Sequence, residues 1–399
     1  MASSARQPAP KGRSRSTLAV LFSVIIIDLI SFGIVIPILP AYAKTLEASA
    51  TVLGLIVATH AALQALFAPF WGRLSDRIGR RPVMLVTMAG TSAALLMLGL
   101  AESIAALFAA RVLSGLFAAN ISVATAYVAD VTDESERTRW MGMIGASFGI
   151  GFILGPLLGG LLAPYGYGVP MFVAAGMAAL NCAYATIVLK EPPRHSDKPR
   201  GRGGLALLRT DPYAAQLCFT NLLFTVGVSQ LEVTFFYLMN ERFGYGIQQV
   251  AFILVAMALV MAGIQGGGMR ALAERFGEKR LLVTGLFCMA LAFPAIPRIG
   301  SVGLLLVPLG VAAAGRAIAQ PPMTSLISMR TDSMNRGAVM GAYQSAAAIA
   351  RIIGPMLAGL LYDFRTATPF YLAASLFVVS ALLSMRLRDV DAAPKVQPA

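Results

Sequence analysis

Six ionisable side chains lie inside long apolar stretches of this 399-residue chain: Asp28, His60, Arg111, Glu232, Arg316 and Arg351. A charge in such surroundings is costly unless it has a partner or faces water, so each is a candidate for ion pairing or proton exchange. Gln64 follows His60 by four residues and shares its helix face. Asn120, Asn221, Gln230 and Gln344 are further polar groups in apolar runs, where they suit either a polar lining or helix-to-helix hydrogen bonds. For His60 a packed hydrogen-bond partner competes with a proton carrier. No phosphate-cradling loop with Lys-Ser or Lys-Thr is present, which argues against a nucleotide motor. No His, Cys and Asp cluster has metal-ligand spacing, and Cys182, Cys218 and Cys288 read as small apolar-run residues.

The elements that must position these groups follow from composition. The chain is 57% apolar and 13% charged, with a mean hydropathy of +0.73, far from a soluble globular protein. The spacing predicts twelve membrane helices, at 17–42, 51–72, 82–101, 104–128, 138–163, 167–189, 213–236, 247–269, 281–299, 302–327, 337–361 and 367–386. Residues 1–16 read as a disordered basic tail, 17–189 as an N-terminal six-helix bundle, 190–212 as a linker, 213–386 as a C-terminal six-helix bundle and 387–399 as a second tail. The formal charge of +13 is confined to loops and ends, so it reports orientation and not nucleic-acid binding. The termini and alternate loops hold 25 Lys and Arg, and the opposite loops only Lys44, Arg242, Arg298 and Arg365. Short basic loops stay inside, so both termini are expected in the cytoplasm.

Depth brings Asp28 and Arg111 together as a candidate pair. Asp28 lies about 15 Å from the inner start of its helix and Arg111 about 10 Å from the outer start of its own, within a core of about 30 Å. Three roles stand open for Asp28: proton coupling, a static pair with Arg111, or contact with a cationic solute. Glu232 is either an outer-gate residue or an interface anchor beside Phe235-Phe236-Tyr237. It can balance only one of Arg316 and Arg351, and the surplus positive charge favours an anionic, zwitterionic or metal-chelated solute.

The polar bridge Gly72–Arg81 links the second and third helices, with Gly72 and Gly79 expected to shape a tight turn. Asp76 is expected either to cap the following helix or to pair with arginines, as part of a latch with Arg77, Arg80, Asp130, Arg137 and Arg139. Arg137, Met141-Gly142, Gly155-Pro156 and Gly160 recur at an offset of 199 as Arg336, Met340-Gly341, Gly354-Pro355 and Gly359. Two similar six-helix halves with a path between them are a transporter design.

These residues resemble the major facilitator superfamily, and within it the twelve-helix drug:proton antiporters that include the bacterial tetracycline exporters. Gly72–Arg81 resembles its loop signature, Arg111-Val112-Leu113-Ser114-Gly115 its helix-four signature, and Gly145, Gly149, Gly151, Gly155-Pro156 and Gly159-Gly160 its helix-five antiporter signature. Asp28 with Pro37-Ile38-Leu39-Pro40 resembles the helix-one pattern of the tetracycline exporters. The second-half loop is looser, and Gly310 stands at the offset of Arg111. The resemblance implies an all-α major facilitator fold in a bacterial inner membrane. It implies proton-driven export of an amphipathic small molecule by alternating access, without a cofactor or catalytic metal. Expected partners are the solute, protons and anionic lipids, not nucleic acid, and the expected working unit is a monomer. Gly155 and Pro156 join the gating set, with Gly155 sealing the inner path. The rival readings are import of an organic anion or nutrient, lipid translocation, and a non-transporting sensor or scaffold.

Overall fold

The computed structural model describes residues 11–132, 134–192, 209, 211–331 and 335–387, and no strand occurs among them. The helices are α1 (Lys11–Thr45), α2 (Ala50–Ile78), α3 (Arg80–Gly99), α4 (Ile104–Phe117), α5 (Asn120–Val131), α6 (Glu134–Leu162), α7 (Gly168–Val188), α8 (Pro212–Phe243), α9 (Ile247–Gly263), α10 (Met269–Phe276), α11 (Glu278–Ala292), α12 (Val302–Arg330), α13 (Arg336–Phe364) and α14 (Thr368–Met385). Eleven spans among the described residues are long and apolar enough to cross a membrane. One of them joins α4 to α5 and another α9 to α10. The remaining expected crossing is the 15-residue α11 with the 3-10 turn Phe293–Ala295. This is a multi-pass, all-helical membrane protein.

Several boundaries differ from the sequence reading. Helix α1 starts at Lys11, so residues 11–16 are helical and not tail; Lys, Arg and Ser there include good helix formers, and no proline follows Pro10 until Pro37. Residues 1–10 and the tail from 388 lie outside the described residues, as does most of the linker. The bridge is also shorter than expected. Gly72 is helical within α2, and the only non-helical residue between α2 and α3 is Gly79. Its φ of 114° is a backbone state that side chains disfavour, which is why the break falls there and not at Gly72. Gly277 (φ 78°) repeats the device between α10 and α11.

The chain divides into two compact units, Met1–Tyr42 with Leu63–Asp197, and Ala43–Ala62 with Lys198–Ala399. Helix α2 therefore contributes to both. In the first unit α3 packs on α7 and α4. Tyr127, Met84, Met88, Leu21 and Val24 are among the buried side chains of its core. In the second unit α8 packs on α13 and α14, and α11 on α12 and α14.

Helices α1 and α6 meet backbone to backbone. A Cβ on Gly155 would fall 2.4 Å from Gly33 Cα, and one on Gly33 would fall 2.3 Å from the Gly151 carbonyl oxygen. Lipid tails give no hydrophobic drive for helix pairing, so close approach of small residues supplies the attraction. Pro156, buried in the next position, leaves one carbonyl of α6 without its usual donor. Gly155→Ala should destabilise the fold by about 1–3 kcal/mol through overpacking. Thermal unfolding of the detergent-purified variant would show this as a lowered midpoint, and an unchanged midpoint would contradict the contact.

Candidate functional site: charged and amide groups within the helices

The fourth span is broken. Helix α4 ends at Phe117, Ala118 turns away (φ −75°, ψ 57°), and α5 restarts at Asn120. Carbonyls freed by such a break must find donors, because hydrocarbon offers none. Helix α2 provides two: Trp71 Nε1 donates to Leu116 O (2.6 Å) and Gln64 Nε2 to Ala118 O (3.2 Å). Gln64, expected in a solute cavity, therefore mends the helix break. The gain from the break is the position of Asn120, whose Nδ2 donates to Asp28 Oδ1 at 2.8 Å. A cavity of about 10 Å³, bounded by Met84, Met88 and Ile121, adjoins this pair.

The expected Asp28–Arg111 ion pair is not formed among the described residues. Arg111 is buried on α4, and its Nε has no hydrogen-bond partner. Similar depth does not bring two side chains together when they point in different directions around their helices. Asp28 is left half-buried with an amide as its neighbour and no ion pair among the described residues.

The second unit holds the other charged cluster. Arg316 of α12 bridges Glu232 of α8 at 2.9 Å. Arg351 of α13 is within electrostatic reach of Glu232, yet no hydrogen bond or ion pair joins it to a described residue. Asn221 and Gln230, expected to line a cavity, instead tie α8 to α13. Asn221 Nδ2 donates to Tyr343 O (3.1 Å), and Gln230 Nε2 to Val226 O (3.0 Å) and Gly354 O (3.2 Å). Gln344 is exposed. His60 is half-buried in α2.

The bridge region does gather charges. Arg80 pairs with Asp76 (2.7 Å) and with Asp130 of α5 (2.8 Å), and it donates to Ser75 Oγ (2.6 Å). Arg77 is exposed, with no ion pair among the described residues. The side chains of Arg137 and Arg139 lie outside the described residues. Asp76 does not cap α3. Glu191 does, accepting from the backbone N–H of Arg80 (2.6 Å) and of Arg81 (2.9 Å). Arg81 Nη2 donates to Thr186 O (2.6 Å) and Tyr127 OH to Lys190 O, which fixes the end of α7 beside this cap.

A last cluster lies at the Lys44 end of α1, within the second unit. Asp363 of α13 accepts from Ala50 N (3.1 Å) and Thr51 N (2.8 Å), capping α2. Lys44 pairs with Glu241 at 2.9 Å, Tyr362 OH donates to the same carboxylate (2.8 Å), and Tyr237 OH donates to Ala48 O (2.7 Å).

Comparison with known proteins fits this architecture. The family model "Major Facilitator Superfamily" matches residues 21–271 and 269–399. The chain belongs to that superfamily. It is 30% identical to the class B tetracycline resistance protein of Escherichia coli, over 87% of this chain and 89% of that protein. It is 29% identical to multidrug resistance protein 2 of Bacillus subtilis (strain 168), over 93% and 95%. Among solved structures, the human organic anion transporter MFSD10 (TETRAN) matches with a TM-score of 0.71 and 27% identity, over 95% of this chain and 100% of that one. The chain is thus a membrane transporter and not an enzyme.

Within this superfamily chain, Glu191, Asp363 and the Lys44–Glu241–Tyr362 group escaped the sequence reading. Each lies at a helix end, where a carboxylate looks like an ordinary loop charge. One signal was available for Glu191, since α3 begins straight after a glycine that has no side chain with which to cap it. Glu191→Ala should cost about 0.5–2 kcal/mol of local stability. Hydrogen exchange at the amides of Arg80 and Arg81 should accelerate, and exchange at the wild-type rate would count against the cap.

Proposed function

We propose that this transporter exports amphipathic small molecules from the cytoplasm or inner leaflet in exchange for protons, by alternating access in a bacterial inner membrane with both termini cytoplasmic. The observation that carries the coupling is the Asp28–Asn120 hydrogen bond at the broken fourth span. A carboxylate held by an amide can take up and release a proton without breaking an ion pair, and Asp28 lines a small cavity beside Asn120. Discontinuous helices at mid-membrane are where transporters place such groups. The names of the bacterial relatives, a tetracycline resistance and a multidrug resistance protein, support export of drug-like solutes. The proton gradient is the energy source, and a monomer suffices, with anionic lipids meeting the basic loops.

Gating in this reading uses the ends of the helices. The Lys44 end of α1 and the start of α2 would open and close at the outer face, held by the Asp363 cap and the Lys44–Glu241 pair. A half-exposed ion pair contributes about 0–1 kcal/mol and a cap about 0.5–2 kcal/mol. Contacts of that size can be made and broken in each transport cycle. Arg80, with Asp76 and Asp130, would do the same work at the inner face.

In proteoliposomes, an imposed pH gradient should drive tetracycline accumulation by the wild-type protein. Asp28→Asn should abolish that accumulation while keeping gradient-independent exchange of tetracycline. Accumulation at the wild-type rate in Asp28→Asn would remove Asp28 from the coupling step.

A further inference from the structure

We infer that Arg351, with Gln344 two turns away on the same helix face, forms a binding site for the carboxylate-type anionic group of an amphipathic solute. The inference deepens the transport reading above and rests on it. Arg316 and Arg351 both fall near the middle of their helices, α12 (Val302–Arg330) and α13 (Arg336–Phe364). At that depth a guanidinium facing lipid is strongly disfavoured.

The pattern of exposure says which way Arg351 faces. The exposed residues in the middle of its helix form one broad arc. Ile349, Ile353 and Leu360 are exposed at one edge of it, and at about 100° per residue they lie roughly opposite Arg351. That apolar edge suits lipid. Arg351 and Gln344, seven residues apart and both exposed, lie at the other edge about 10 Å from each other along the axis, with exposed Gly341 and Ser345 between the two edges. Helix α12 repeats the arrangement, with exposed Val307 half a turn away from Arg316. Polar exposure opposite a lipid-facing side marks a water-lined surface.

Among the described residues the charge on that surface is not balanced. Glu232 is bonded to Arg316 at 2.9 Å, which leaves Arg351 as the second cation beside one carboxylate. Gln230, a neutral amide whose nitrogen is spent on Val226 O and Gly354 O, does not supply the missing negative charge. A planar guanidinium presents paired donors that match a carboxylate two by two, and Gln344 adds a neutral amide donor on the same face. An uncharged solute would leave this guanidinium without its counter-charge.

The full-length protein in detergent should be titrated with 2-naphthoate, with 2-naphthamide, and with sodium chloride at matched ionic strength, reading the thermal unfolding midpoint. Naphthoate should raise the midpoint of the wild type well above either control. Its apparent affinity should fall at least tenfold in Arg351→Gln and by a smaller factor in Arg351→Lys, which keeps the charge and loses the paired donors. Equal stabilisation by the amide or by chloride would overturn the site, as would undiminished naphthoate affinity in Arg351→Gln. If Arg351→Gln does not fold, the wild-type comparison together with the reduced affinity of Arg351→Lys decides, and undiminished affinity in Arg351→Lys would overturn the paired-donor site. Proton-linked tetracycline transport without a naphthoate response would overturn this inference alone. A naphthoate response in a protein that moves no solute would keep the site and sink the proposed function.

Discussion

Every backbone N–H and C=O inside a membrane must be satisfied by the protein itself, and the interior of this molecule is arranged around that demand. Breaks and prolines give the helices their useful irregularity, and each one orphans a carbonyl. Trp71 and Gln64 donate to the carbonyls at the end of α4, and the buried amides Asn181, Asn221 and Gln230 find acceptors of their own in the helix carbonyls of Val24, Tyr343 and Gly354. Each bond contributes only about 0.6 kcal/mol on average in a membrane. Their importance lies in the alternative, since an unmade bond in hydrocarbon costs several times that amount.

With the amides occupied in this way, the charged groups are left to act on solute and protons. The two units differ in how they hold charge. In the first, Asp28 meets Asn120 and, among the described residues, no cation, while Arg80 gathers Asp76 and Asp130 near the helix ends. In the second, Glu232 and Arg316 form a pair with Arg351 nearby. At the positive-φ glycines the backbone device is the same, yet Arg80 follows Gly79 while Glu278 follows Gly277, and Glu278 accepts from Ser325 instead of gathering acids. The internal repeat preserves shape and not chemistry.

The helical membrane fold was legible from hydropathy, because spans of twenty or so apolar residues have few other fates. Helix ends were less legible. The bridge looked like a loop since Arg73, Ser75, Asp76 and Arg77 are polar, but none of them breaks a helix, and only Gly79 requires a special backbone state. Among the site residues, Asp28 and Asn120 were both picked out singly, while their contact was not. Depth along a helix can be read from residue number, whereas direction around it depends on packing and on the break at Ala118. The polar residues chosen as cavity lining were mostly backbone donors for the same reason, and Gln344 remains exposed on the Arg351 face.

The central claim is that solute leaves as protons enter, and direction of flow tests it most directly. Proteoliposomes loaded with a pH-sensitive dye, with no pH gradient, should be given an outward or inward gradient of tetracycline alone. The account predicts that protons move against the tetracycline flow. Protons moving with the tetracycline, or tetracycline crossing with no proton movement, would contradict it.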